Sequence, residues 1–256
     1  MVVSKRNFSK QVVVRGLEKN WICRGKWLIE ELSRFKHNAF LVSFLLKKDK
    51  VMVLDRQSWS LFGELLLLSD WSRTTPIHGL RFDRTPFWAT AVGVPQSFLS
   101  KSNGLTIAKK ADEVVAMDLD VKRDRWRGFF HFKVNVFVEG QLFLGFFLLV
   151  GYGDPIWVQI KYDRLANFCF NCGCFGHDRK PCSLSSPITI FGLDGIAVPV
   201  FGSWLRSDYR KGDCFATFKS KHRGLSKIAS VPSTVPTVME TPPMRLEAVG
   251  TTMVVE

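Results

Sequence analysis

The sequence predicts an α+β chain with a strand-rich middle, one small metal-nucleated loop and a disordered C-terminal tail. Three observations carry this expectation. Residues 129–138 alternate, with Phe130, Phe132, Val134, Val136 and Val138 on one face, as a half-buried strand requires. Four of the six cysteines crowd into residues 169–182. From Ile228 onward, Pro, Ser, Thr and Val follow one another without period, a composition that cannot bury a core.

The elements follow in order. Residues 1–37 are basic and mixed, with a short helix or strand edge over 27–32. Residues 38–46 (NAFLVSFLL) are an apolar run of strand length. Residues 47–58 place Val51 and Leu54 at helical spacing, and 61–68 read as a strand. A polar connection over 72–84 contains Pro76 and Gly79. A strand over 87–92 is closed by Gly93 and Pro95; 106–111 favour a helix and 113–118 a strand. After the alternating strand, Gly140 turns the chain, the apolar run 142–150 returns, and 156–160 follows beyond a turn at 151–155. Strands in this succession predict a β-meander behind a mixed front.

With 256 residues, 46% hydrophobic and 13% aromatic, the chain suits one large or two small domains. It is too short for a reverse transcriptase. The formal net charge is +13, distributed as +8 over residues 1–60, +1 over 61–160, +6 over 161–227 and −2 in the tail. Two basic ends around a neutral middle point to a polyanion, and nucleic acid is the commonest. The most apolar run, 142–150, has nine residues, whereas a spanning helix needs ~20, so no membrane partner is expected. Met1-Val-Val-Ser-Lys-Arg lacks the apolar stretch of a secretory signal, which predicts the nucleus or cytoplasm. In an unsecreted chain, crowded cysteines favour metal over disulfides.

Residues 169–182 read C-x2-C-x4-H-x4-C, with candidate ligands Cys169, Cys172, His177 and Cys182. A two-residue gap lets one tight turn aim two sulfurs at a single point. Gly173 and Gly176 permit the bends that follow. Three thiolates and an imidazole suit one tetrahedral Zn2+ and leave no open position for an activated water, so the ion is structural. So short a segment has no core of its own; zinc supplies its folding energy, ~10–16 kcal/mol in comparable peptides. Cys174 lies too close to Cys172 to chelate without strain and is read as a spare thiol. Two rings, Phe170 and Phe175, lie beside Arg164, Arg179 and Lys180, a set suited to stacking an unpaired base and holding phosphates. Of the two, Phe175 is expected over the metal loop and Phe170 against the base.

The segment Lys161-Tyr-Asp-Arg-Leu-Ala-Asn-Phe-Cys-Phe-Asn-Cys-Gly-Cys-Phe-Gly-His resembles the zinc knuckle of plant retrotransposon-derived, LINE-type proteins. There a strand ending in Lys-Tyr-Glu-Arg-Leu-Pro leads into Cys-x-x-Cys-Gly-x-x-Gly-His. Pro86-Phe87-Trp88 with Gly93 and Pro95 resembles the PFW-x4-G-x-P signature of the same family. Trp59 with 61–68, and Phe201-Gly-Ser-Trp-Leu-Arg206, resemble two further stretches. The resemblance covers residues 25–207. It implies an RNA-recognition-motif-like front domain of unknown function, one Zn2+, and a role in coating or chaperoning RNA. Against the family pattern, the N-terminal stretch is short, which implies a missing first strand. Phe143 and Leu144 replace basic pairs, Ser69-Asp70 an Arg-rich close, and Ala166 a proline. Aligned on Val42-Ser43-Phe44, the base-stacking positions of an RNA-binding sheet hold Ala39 and Leu41, so the front is expected to act as a scaffold.

The expected layout is 1–120 RNA-recognition-motif-like, 121–166 strand extension, 167–184 zinc knuckle, 185–227 basic segment and 228–256 disordered tail. No nucleotide-loop, hydrolase-elbow or metalloprotease signature is present. Asp118 and Asp120 sit two apart on a strand, and His37, His78, His131 and His222 lack ligand-spaced partners. Lys219-Ser-Lys-His-Arg223 reads as a solvated linker. The expected function is therefore non-enzymatic, zinc-dependent binding of single-stranded RNA or DNA. The alternative is a protein-interaction adaptor, or a decayed element fragment, whose knuckle serves assembly and self-association.

Overall fold

The alternating segment forms the strand that its period predicts: Phe130, Phe132, Val134 and Val136 are buried along β8 (Phe129–Phe137). The computed structural model describes residues 1–32, 36–118, 128–150, 154–191, 195–210 and 212–215, with the backbone of 253–254. The expected disordered tail and the basic cluster at 219–223 therefore lie outside the described residues, apart from a two-residue strand, Met253–Val254, beside the sheet.

The front contains β1 (Val2–Val3), α1 (Lys10–Asn20), β2 (Trp27–Glu31), β3 (Phe40–Phe44), α2 (Lys47–Asp55), β4 (Trp59–Leu61) and β5 (Glu64–Leu66). A first strand is thus present, short as it is, and so is a helix that the composition of 1–37 did not suggest. Val13, Gly16 and Leu17 form its buried stripe. A Cβ at Gly16 would meet Leu61 Cδ1 at 2.1 Å, so a side chain there would force that buried leucine to shift. The expected strand over 61–68 is instead a hairpin. Phe62 and Gly63 take φ of 52° and 87°, the paired positive values of a two-residue turn. On α2 the buried side chains are Asp49 and Val53, while Val51 is exposed. Asp49 is tolerated inside because it accepts the N–H groups of Arg24 and Gly25 at 3.2 and 2.7 Å.

The order β1-α1-β2-β3-α2-β4 is laid out in two sheets, β1-β5-β4 and β2-β3. These enclose a small core of Val2, Val13, Leu17, Trp21, Trp59 and Leu61.

The larger sheet holds β6 (Arg84–Val92), β7 (Glu113–Met117), β8, β9 (Gly145–Leu149) and β10 (Ile156–Tyr162), with α3 (Lys101–Ala111) between β6 and β7. Its order is β9-β10-β6-β8-β7, so the predicted meander is not formed. Only β7-β8 and β9-β10 are both sequential and adjacent; β6 inserts between β10 and β8. Alternation identifies a strand's faces but says nothing about which edge it joins. The β7–β8 ladder also spans position 120, so residues on both sides of it share one sheet.

Phe87, Phe132, Phe146, Tyr162 and Phe201 are fully buried in one core beneath this sheet. Tyr162 donates its hydroxyl to the Phe143 carbonyl at 2.9 Å. A last hairpin, β11 (Thr189–Phe191) and β12 (Ala197–Pro199), follows the metal loop. Among the described residues no helix is long and apolar enough to cross a membrane.

Candidate metal centre

The loop begins where β10 ends. Asp163 donates its N–H to the Trp88 carbonyl at 2.8 Å, and Arg164 turns the chain with φ of 49°. Asn167 donates its N–H to Gly63 at 2.6 Å, fixing the approach against the β4–β5 hairpin. Phe168 and Phe175 then form an antiparallel bridge that closes the loop's neck.

Inside this neck the two-residue spacing does its expected work. Cys169 donates N–H to the Cys174 carbonyl at 2.8 Å, and Gly173 donates N–H to the Cys169 carbonyl at 2.7 Å. Gly173 has φ of 78° and Gly176 82°, values that glycine adopts without strain. Gly173 is also needed for room, since a Cβ would lie 2.3 Å from the Phe201 ring. Asn171 ties the far side, its Nδ2 donating to the Leu184 carbonyl at 3.0 Å and its own carbonyl accepting from Ile188 at 3.0 Å.

These bonds bring Cys169, Cys172, His177 and Cys182 together, with all four ligand atoms within 4.8 Å of one another. Cys172 Sγ lies 3.3 Å from His177 Nε2. A tetrahedral zinc with bonds near 2.3 Å would separate its sulfurs by ~3.8 Å, so the set is already gathered to the right scale. The four residues form a compact CCHC cluster consistent with one structural Zn2+. Bound there, the ion would neutralise the thiolates and lock the loop. Cys174 lies outside the four, its Sγ 3.8 Å from the Cys172 carbonyl, in keeping with a spare thiol.

The thiols differ electrostatically. Burial pushes Cys172 well above the ordinary thiol value. Cys182 is pulled down to about 7, first by the Leu184 N–H that it accepts at 3.4 Å. A divalent cation overrides burial, because a coordinating thiol is deprotonated outright.

The five expected nucleic-acid contacts do not form one patch of free groups. Phe175 is buried, stacked on Phe87 at 5.8 Å between centroids and 3° between planes, and has no free face for a base. Grouped with the nucleic-acid contacts but expected to pack rather than to stack on a base, it has the inner face of β6 as its packing partner. Phe170 is half-buried, 5.1 Å from Phe168, with the Arg179 guanidinium 5.4 Å above its ring. Arg179 and Lys180 are exposed. Arg164 reaches back to the front, donating to the Arg56 carbonyl at 2.7 Å and lying 5.2 Å from the Trp59 ring.

Of the other polar residues considered, His131 stacks on Trp88 at 4.6 Å and pairs with Asp163 at 3.2 Å. Asp120 and His222 lie outside the described residues. Sequence reasoning missed Asn171, Leu184, Phe87 and Phe201, which hold the loop through contacts that no local spacing announces.

The Zinc knuckle family matches residues 150–184. The matched stretch contains all four ligands, the strand that delivers them and the Leu184 donor. No curated protein and no solved structure matches the chain.

Proposed function

We propose that this protein is a non-enzymatic, zinc-dependent binder of single-stranded RNA or DNA. The observation that carries this reading is the gathered CCHC cluster, with exposed Arg179 and Lys180 and half-buried Phe170 on the same loop. Zinc knuckles commonly bind nucleic acid, and a rigid loop with a ring and cations suits an unpaired strand: the ring stacks on a base while the cations meet phosphates. The net charge of +13 supports a polyanionic partner.

The finer reading is a retrotransposon-derived, LINE-type protein of the nucleus or cytoplasm, whose front is an RNA-recognition-motif-like scaffold. The element order β1-α1-β2-β3-α2-β4 supports that scaffold. The experiment is a pair of titrations with a labelled single-stranded oligonucleotide. Wild-type protein should bind with a steep salt dependence, whereas Cys169→Ser should lose zinc and bind far more weakly. Equal affinity in the two proteins would remove the knuckle from the function.

A further inference from the structure

The hairpin between β4 and β5 turns through Phe62 and Gly63, both at positive φ. Asn-Gly is the favoured pair for such a turn, and a bulky residue at its first position is an outlier. Backbone strain of this kind clusters at ligand clamps and binding sites. Burial does not account for the ring either: Phe62 is 53% exposed, although the preceding Leu61 is fully buried. The ring lies against α1, where a Cβ at Gly16 would sit 3.2 Å from Phe62 Cε2. Phe8 lies nearly parallel to it, with centroids 6.4 Å apart, and extends the aromatic surface.

Phe62 forms one wall of a groove of about 450 Å³ whose other wall is α1. Val12, Arg15 and Lys19 line it from one stripe of the helix, with Glu18 beside them. Arg15 and Lys19 are exposed, and neither they nor Glu18 form an ion pair among the described residues. Like charges one helical turn apart repel, so an anion seated against both is favourable. The groove also adjoins the metal loop. The Gly63 carbonyl accepts the Asn167 N–H at 2.6 Å, and Phe170 follows three residues later.

We infer that Phe62 and the α1 stripe form a second stacking site, for another unpaired base of the same single strand that the metal loop holds. The inference rests on the nucleic-acid reading of that loop. A flat base flanked by phosphates uses every feature of the groove. The exposed ring stacks on the base, Val12 meets its edge, and Arg15 and Lys19 meet the phosphates on either side. The strand runs from Phe170 past Asn167 to the hairpin, so the bound length exceeds what the loop alone covers. The strained ring is thus retained for contact with the strand rather than for folding.

The test uses the zinc-loaded full chain and a fluorescein-labelled oligouridylate of about twelve nucleotides, long enough for both sites. Phe62→Asn gives the turn its preferred Asn-Gly pair and removes the ring. It is expected to hold zinc and to melt no lower than wild type, yet to bind at least about fivefold more weakly; Phe62→Tyr, which keeps a stacking face, should bind as wild type does. The double variant Arg15→Gln/Lys19→Gln, at exposed helix positions, should lower the slope of log affinity against log salt by ~1.4, two counterions at ~0.7 each. Full affinity in Phe62→Asn, or an unchanged slope in the double variant, would overturn the inference, and a lower melting temperature with full affinity would make the ring a cover for α1 and nothing more. Cys169→Ser separates this site from the reading beneath it. Loss of binding there but not in Phe62→Asn would uphold the loop and overturn the hairpin site, the reverse would uphold the hairpin site and overturn the loop, and a wild type that binds no oligouridylate would overturn both.

Discussion

Phe175 of the metal loop lies flat against Phe87 of β6, with ring centroids 5.8 Å apart and planes 3° from parallel. The knuckle is therefore seated on the main core, and its folding is coupled to the sheet. Truncating a buried phenylalanine costs ~3–5 kcal/mol through lost transfer energy and the cavity left behind. Phe175→Ala is expected to lower global stability by about that amount and to weaken zinc binding as well. Chemical denaturation with and without zinc measures both effects. Unchanged stability with weakened zinc binding would mean that the knuckle folds independently of the sheet.

Zinc removal should be felt beyond the loop for the same reason. Chelation leaves buried Cys172 and its neighbours without the ion that gathers them, and the Phe168–Phe175 bridge loses its support. The expected outcome is a lower melting temperature together with faster amide exchange at Gly173 and Leu142, which are joined by a 3.2 Å bond. Exchange confined to 169–182 would limit the coupling to the loop.

Gly173→Ala separates backbone strain from ligand loss. The residue has φ of 78°, and a Cβ would meet the buried Phe201 ring at 2.3 Å. Left-handed backbone alone costs a residue with a side chain ~1–2 kcal/mol, and the ring contact adds to it. All four ligands remain, yet zinc affinity should fall by at least about tenfold, the equivalent of ~1.4 kcal/mol. A competition titration against a chromophoric chelator reads this directly.

The metal site was legible because its information is local. Four ligands within fourteen residues, with glycine after the second, specify a turn and a coordination number without reference to the rest of the chain. The sheet order was not legible, because Phe87, Ala89 and Ala91 mark an inner face of β6 but not its neighbours β10 and β8. The β4–β5 hairpin was hidden by Phe62, a bulky residue at a positive φ usually held by Asn, Asp or Gly. Phe175 could be ranked as less available than Phe170 from the smallness of the loop, but its partner Phe87 belongs to a strand distant in sequence.

Acid should reveal the Asp163 link between sheet and loop. Burial works against ionisation of this carboxylate, but hydrogen bonds from His131 and Ser207, and the charges of His131 and Arg164, outweigh it. Its folded pKa therefore lies below the ordinary 3.8. A depressed carboxylate pKa contributes stability that is present above the unfolded value and is lost as pH falls through the folded one. Wild type should thus lose more stability than Asp163→Asn on going from pH 5 to below the ordinary value of 3.8. Comparing the two proteins cancels the protonation of the zinc ligands. Parallel stability curves in urea across that range would show that the pairing with His131 contributes nothing.

On the proposed function, the contacts of Phe170, Arg179 and Lys180 with an unpaired strand would divide by chemistry. Phe170 offers a ring and is capped by Arg179, whose guanidinium lies 5.4 Å from its centroid. A base that stacks there extends the Phe168–Phe170 pair and displaces or sandwiches the guanidinium. Phe170→Leu keeps apolar bulk against the core but removes the π-face, so single-strand affinity should fall by ~1–3 kcal/mol at any salt concentration. Arg179→Gln and Lys180→Gln remove charges from exposed positions instead. Each should reduce the slope of log affinity against log salt by ~0.7, as one released counterion requires on a single strand. A filter-binding series from low to moderate salt distinguishes the two behaviours: a parallel shift for the ring, a shallower line for each cation. A shallower line for Phe170→Leu, or an unchanged slope for both cation variants, would contradict this division of roles.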